Sequence, residues 1–273
     1  MADSFECVSE RGRVQVDGVW LELAWFRPAG GTVAGSPVWV MLHEGLGCVD
    51  MWGAFPAAVC RRTGCAVLAY SRRGYGRSDP LAGPYERDFM HREAREVLPA
   101  LLEATGVEAV VLLGHSDGGS ISLVYAGSPD TGGARIHALV LLAAHAFNEP
   151  VCMAGIRDAD RAFRSTSLRG ALARYHGERV DEVFGAWRDI WLHPSFEDWS
   201  IEDCLPAITC PVLVVQGRND PYGTLDQVHA ITEGVGGQAY ACILDACGHA
   251  PHRDQRACVE EEIERFVLAL RSS

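Results

Sequence analysis

Leu112-Leu113-Gly114-His115-Ser116-Asp117-Gly118-Gly119 is the stretch whose reading decides the fold. The apolar run Ala109 to Leu113 enters it and a helical pattern, Gly118 to Ala126, leaves it, so the serine lies on a tight strand-to-helix turn. Small residues two places to either side suit such a turn, because its strained backbone leaves no room for side chains. The turn presents the hydroxyl at the C-terminal edge of a sheet, where open α/β folds carry their sites. Ser116 is therefore a candidate nucleophile.

The flanking sequence repeats the same rhythm. Arg13 to Val16 and Val19 to Phe26 alternate as a hairpin does, with Asp17-Gly18 as the turn. Six further short apolar runs follow: Val38 to Leu42, Ala66 to Tyr70, Ala109 to Leu113, Ala138 to Ala143, Val212 to Gln216 and Tyr240 to Leu244. Most are apolar throughout, the pattern of parallel strands covered on both faces. Helical patterns lie between them over Met51 to Arg62, Asp88 to Ala104, Gln227 to Glu233 and Arg256 to Leu270. The expected fold is α/β, a doubly wound, mostly parallel eight-stranded sheet entered through an antiparallel hairpin. From Phe147 to Leu205 no strand pattern occurs, and helical segments carry Tyr175, Phe184, Trp187, Trp191 and Trp199. The chain thus divides into a core over residues 1–146, a helical lid inserted after the sixth strand over 147–205, and the rest of the core over 206–273. Trp187 and Trp191 stand i, i+4 on one helix face, and with Trp199 they are the expected substrate-binding residues.

A serine hydroxyl is a poor nucleophile without a base. Asp245-Ala246-Cys247-Gly248-His249 follows the last strand, and Gln216-Gly217-Arg218-Asn219-Asp220 follows the seventh. Ser116, Asp220 and His249 therefore come to successive strand ends, in an order that supplies nucleophile, orienting carboxylate and base. Glu149, after the sixth strand, is a rival for the carboxylate. Asp220 fits better, three residues after Gly217.

Around these residues the chain resembles the α/β-hydrolase fold family over nearly its whole length. The likeness rests on HEGLG at His43 to Gly47, SRRGYGRSD at Ser71 to Asp79, GHSDGG at the elbow, GRND before Asp220 and GHAPH at His249. The elbow run SDGG is similar to that of biphenyl-hydrolase-like, valacyclovirase-type members. The resemblance implies Ser116 as nucleophile, His249 as general base and then acid, and Asp220 as the orienting carboxylate. It implies an oxyanion hole of the Asp117 N–H and a second N–H from the His43 loop, supplied by Gly45 or Glu44. Where members often have His-Gly, this chain has His43-Glu44-Gly45, which leaves that second donor open. The side chains of Glu44 and Asp117 either bond loop backbone or hold a cationic or amine-bearing substrate. A serine at the elbow argues against haloalkane dehalogenase and epoxide hydrolase chemistry, which use aspartate there.

Composition narrows the chemistry further. All 24 basic side chains are arginine against 36 acidic ones, giving a net charge of −12 without a single lysine. Schiff-base, pyridoxal-phosphate and Walker-A chemistry each need a lysine amine. The acidic balance argues against nucleic acid or an anionic membrane as partner. The ten cysteines read as free thiols, without Cys-x-x-Cys pairs or metal-ligand spacing, so neither metal nor organic cofactor is expected. The longest apolar runs fall short of the roughly 20 residues a membrane span needs, and MADSFECVSE has no signal-like apolar stretch, so a cytoplasmic protein is expected. The expected partner is a small-molecule substrate; oligomeric state is not legible. The expected function is hydrolysis of a small, partly apolar carboxylic ester, lactone or thioester through an acyl-enzyme. With no lysine and no arginine run dedicated to a nucleotide, an acyl-CoA ranks below a simple ester. Same-site alternatives are carbon–carbon hydrolysis, a lyase reaction or cofactor-free oxygenation, and outside catalysis a ligand-binding role.

Overall fold

The computed structural model describes residues 6–129 and 132–272. The opening hairpin forms as expected but runs longer: β1 (Cys7–Val16) pairs antiparallel with β2 (Val19–Pro28), and Asp17 and Gly18 take positive φ at its turn. The remaining strands are β3 (Val38–Leu42), β4 (Val67–Tyr70), β5 (Ala109–His115), β6 (Arg135–Leu142), β7 (Val212–Gly217) and β8 (Ala239–Leu244). They form one eight-stranded sheet in the order β1-β2-β4-β3-β5-β6-β7-β8. Pairing is parallel from β4 to β8, and β2 runs antiparallel to β4. The expected doubly wound α/β sheet is what the sequence folds into.

The central strands β3 and β4 are apolar throughout, and β5 is so as far as Leu113, because both faces are covered. In β3, Val40 and Leu42 join one hydrophobic cluster while Trp39 and Met41 join the other. In β5, Val110 and Leu112 part from Val111 and Leu113 in the same way, the period of two that a pleat imposes. One face is covered by α3 (Leu98–Thr105), α4 (Asp117–Ala126) and α8 (Leu225–Gly234). The other is covered by α1 (Phe55–Thr63) and by α10 (Arg256–Ser272), which follows the short α9 (Pro251–Asp254).

Helix limits were less legible than strands. The expected helix over Met51 to Arg62 is a 3₁₀ turn, Val49–Trp52, followed by α1. Gly53, at φ 57°, breaks the run, and Pro56 suits the new first turn. The expected Asp88 to Ala104 helix is three joined pieces: α2 (Phe89–Arg92), a π turn (Glu93–Val97) and α3. Between β6 and β7 lie α5 (Pro150–Ser165), α6 (Leu168–His176) and α7 (Val180–Trp191). Phe184, Trp187 and Ile190 of α7 belong to the same apolar cluster as the adjoining sheet face. No helix among the described residues is long and apolar enough to cross a membrane.

Candidate active site

Ser116 sits between β5 and α4 with φ 52° and ψ −118°, a conformation costly for a residue with a Cβ. Its neighbours hold it there. Its N–H donates to the Leu142 carbonyl at 2.9 Å, and its own carbonyl accepts from the Gly119 N–H at 2.8 Å. The turn is also pressed against β3. A Cβ on Gly118 would stand 2.0 Å from the Leu42 carbonyl oxygen, and one on Gly114 would stand 2.3 Å from the Gly118 oxygen. Gly118→Ala is therefore expected to destabilise the fold by ~3 kcal/mol or more. A melting temperature within about 2 °C of the parent would contradict this packing.

The other two strand-end residues, Asp220 and His249, lie against each other. His249 Nδ1 lies 2.9 and 2.8 Å from the two Asp220 carboxylate oxygens. Asp220 also accepts from the Tyr222 N–H at 2.8 Å and from Gln216 Nε2 at 2.8 Å. Burial works against its charged form, but the hydrogen bond and charge of His249, with the Tyr222 N–H, hold the carboxyl below its usual range. A carboxylate facing Nδ1 of His249 favours the tautomer that carries its proton there. Ser116 and His249 line the same cavity. No hydrogen bond joins Ser116 Oγ to His249 among the described residues, a contact often long before substrate binds.

Glu149 has other work. Its carboxylate accepts from the Thr224 N–H at 3.0 Å, the Thr224 hydroxyl at 2.6 Å and Gln227 Nε2 at 2.6 Å. It fastens the start of α5 to the first turn of α8.

The cavity has a volume of about 260 Å³, just below the ~300–1,000 Å³ of common ligand pockets. Trp187 and Trp191, the i, i+4 pair on α7, both line it, with Ile156, Leu172 and Cys152 from the same helical segment. Trp199 does not, contrary to expectation. It stacks on Phe196 at 5.1 Å and meets Trp191 edge-on at 5.6 Å, backing the wall rather than forming it. Glu44 and Gly45 reach the cavity from the His43 loop, and Asp117 from the first turn of α4. The carboxylate of Asp117 is 1% exposed and lies 3.5 Å from the guanidinium of Arg72, itself 2% exposed. The Glu44 side chain is 21% exposed, with its carboxylate 3.8 Å from His115 Nδ1.

Several lining residues were invisible in the sequence. His115, His145, Tyr222 and His252 surround His249, with ring centroids of His115, His145 and Tyr222 at 5.1, 5.8 and 4.7 Å from it. His115 Nε2–H donates to the His249 carbonyl at 2.6 Å, and His145 Nε2–H donates to the Tyr222 carbonyl at 3.0 Å. The one sequence signal was adjacency to a motif residue: His115 precedes Ser116, Tyr222 follows Asp220 by two and His252 follows His249 by three. No group of three or more His, Cys, Asp or Glu side chains among the described residues is placed to hold a metal ion.

Burial gives this site a pH signature. His43, His115, His145 and His176 are held below the ordinary histidine range chiefly by desolvation, and His252 is pushed down to about 3. Each binds a proton in the unfolded chain near pH 6.5 but not in the folded one, so stability falls as pH drops below about 6.5, by up to ~1.4 kcal/mol per unit per histidine. Glu44, Glu93 and Asp117 are raised by burial and oppose this loss between the ordinary carboxylate range and their folded values. The histidines outnumber them, so the melting temperature is expected to fall between pH 7.5 and pH 5.0. Calorimetry showing a flat or rising melting temperature would refute that balance.

The comparisons with known proteins agree with the fold. A family model described as the alpha/beta hydrolase family matches residues 35–261. The human serine hydrolase BPHL is 31% identical over 160 residues, covering 57% of this chain and 53% of that protein, so the chain spans about half the length of that relative. The 2-hydroxy-6-oxononadienedioate/2-hydroxy-6-oxononatrienedioate hydrolase of Cupriavidus pinatubonensis is 26% identical over 247 residues, covering 80% of this chain and 82% of that one. Among solved structures, a membrane phospholipase A superposes with a TM-score of 0.77 at 20% identity, covering 97% of this chain and 87% of that one. A family match over most of the chain, on this sheet and this turn, means that the chain belongs to the alpha/beta hydrolase family.

Proposed function

We propose that the protein is a serine hydrolase that cleaves a small, partly apolar carboxylic ester through an acyl-enzyme. The observation that carries the reading is His249, fixed by an ionised Asp220 in a cavity it shares with the strained Ser116. Ser116 Oγ attacks the carbonyl while His249 Nε2 takes its proton. The tetrahedral oxyanion is held by the N–H groups of Asp117 and Gly45, His249 returns the proton to the leaving alcohol, and water repeats the sequence to free the acid. Asp117 is the first residue of α4, where helix N–H groups have no intrahelical acceptor and can bind an anion.

The loop supports a choice of second donor. The Glu44 carbonyl is turned toward His43 Nδ1–H at 2.6 Å and Arg72 Nη2–H at 2.9 Å. In a trans peptide the N–H points opposite the C=O, so the Gly45 N–H is directed away from those groups. That favours Gly45 over Glu44 as the donor. The pairing of Asp117 with Arg72 supports a structural role for its side chain, and leaves Glu44 as the carboxylate facing bound substrate. The helices between β6 and β7 act in this reading as a lid, with Trp187 and Trp191 over the acyl group.

Cavity size supports a small substrate, since about 260 Å³ suits short esters and lactones better than long acyl chains. A panel of p-nitrophenyl esters of increasing chain length, amino-acid esters, lactones and acyl thioesters tests it. Short p-nitrophenyl esters are expected to turn over fastest, and a fluorophosphonate probe to label Ser116. Absence of labelling and of ester turnover would sink the reading. The Cupriavidus relative, a hydrolase of a 2-hydroxy-6-oxo compound by its name, gives carbon–carbon hydrolysis a place in the same panel. Release of a carbon acid in preference to an alcohol would move the assignment there.

A further inference from the structure

Arg72 is buried to 2% exposure beneath the site, at a place where no step of the proposed mechanism uses it. Its guanidinium donates from Nη2 to the Glu44 carbonyl at 2.9 Å and stands 3.5 Å from an Asp117 carboxylate oxygen. The ring of Tyr75 lies 5.0 Å from its Cζ. Its backbone N–H donates at 3.0 Å to His43 Nε2, which fixes the tautomer that lets His43 Nδ1–H donate to the same Glu44 carbonyl at 2.6 Å. The Gly47 N–H adds a third donor to that oxygen at 3.0 Å.

Three donors therefore converge on one carbonyl oxygen, and one of them carries a full charge in a water-poor interior. Hydrogen bonds in series polarise one another, and more strongly where the local dielectric is low. Charge drawn onto the Glu44 oxygen is matched by a more positive N–H at the far end of the same peptide, on Gly45. Gly45 lines the cavity with Ser116, and it is closely confined: a Cβ there would stand 2.2 Å from Trp187 Cδ1 and 3.2 Å from an Asp117 carboxylate oxygen.

We propose that Arg72 is a positioning residue that orients and polarises the Glu44–Gly45 peptide, making the Gly45 N–H a stronger donor to the developing oxyanion, with Asp117 as its counter-ion. The proposal rests on the serine-hydrolase reading above. It also explains why a carboxylate directly after the nucleophile does not oppose catalysis, since the adjacent guanidinium offsets its field. The gain appears only as negative charge builds on the substrate oxygen, so it belongs to the transition state and not to ground-state binding.

The test is Arg72→Met assayed with p-nitrophenyl butyrate. We expect kcat to fall about 10- to 100-fold with KM within about threefold, less than the ~10²–10³ typical of losing an oxyanion donor outright. Affinity for butylboronic acid, which forms a tetrahedral adduct on Ser116, should fall with kcat, and affinity for butyramide should not. Arg72→Lys keeps the charge and should recover part of the loss. Arg72→Met with Asp117→Asn removes both buried charges together, guards against a single variant that fails to fold, and should remain as slow as Arg72→Met. Parental kcat in the double variant would show that Arg72 only neutralises Asp117 and would overturn the proposal, as would a raised KM at unchanged kcat. Failure of fluorophosphonate to label Ser116 in the unsubstituted protein would instead remove the hydrolase reading, and the proposal with it.

Discussion

Ser116→Ala is expected to lower kcat for a short p-nitrophenyl ester by about 10⁶-fold, with the fold intact. Removing the hydroxyl deletes the bond-forming atom, and no neighbouring group among the cavity's lining residues substitutes for it. The two thiols in that lining, Cys48 and Cys152, are both held above the ordinary cysteine range by burial. Residual turnover would come from the oxyanion donors and water alone. Alanine also removes no structural hydrogen bond, because Ser116 is fixed through its backbone to Leu142 and Gly119. An unchanged melting temperature with lost activity is the expected pair of results. Turnover within about tenfold of the parent would displace Ser116 from the mechanism.

Asp220→Asn is expected to cost about 10⁴-fold in kcat, with Glu149→Gln near the parental rate. The carboxylate accepts from His249 Nδ1–H, Tyr222 N–H and Gln216 Nε2, all as an acceptor. An amide in its place presents an NH₂ to one or more of these donors. The arrangement is relieved when His249 gives up its Nδ1 proton and carries it on Nε2, the wrong tautomer for a base facing Ser116. Glu149 meets Thr224 and Gln227 instead, so its amide variant should show a lowered melting temperature and little change in kcat. The reverse pattern would move the acid to Glu149.

Part of the fold and of the candidate site is legible in the sequence alone. The six apolar runs marked strands because a strand covered on both faces can afford no polar residue on either. Ser116, Asp220 and His249 were legible because each follows such a run, where the chain must turn at the sheet's edge. Helix limits were not, since Gly53 and the π turn over Glu93–Val97 respond to packing that local propensity does not contain. Trp199 was misplaced for a related reason. Helical spacing fixes which residues share a face, as it did for Trp187 and Trp191, but Trp199 lies beyond α7 and its partner, Phe196, is set by the turn between them.

What the sequence determined by itself was the sheet, the elbow and the order of the three strand-end residues, together with the absence of lysine from any role. Those features are written in local spacing and composition, which a linear reading captures. Tertiary structure alone decided the rest. It brought His115 from the end of β5 and His145 from beyond β6 around His249 and His252, and it buried Arg72 between the Glu44 carbonyl and the Asp117 carboxylate. Burial is what gives such residues their chemistry. An arginine or a histidine acquires a fixed charge state and a fixed partner only when the fold removes water from it and leaves one polar neighbour in reach.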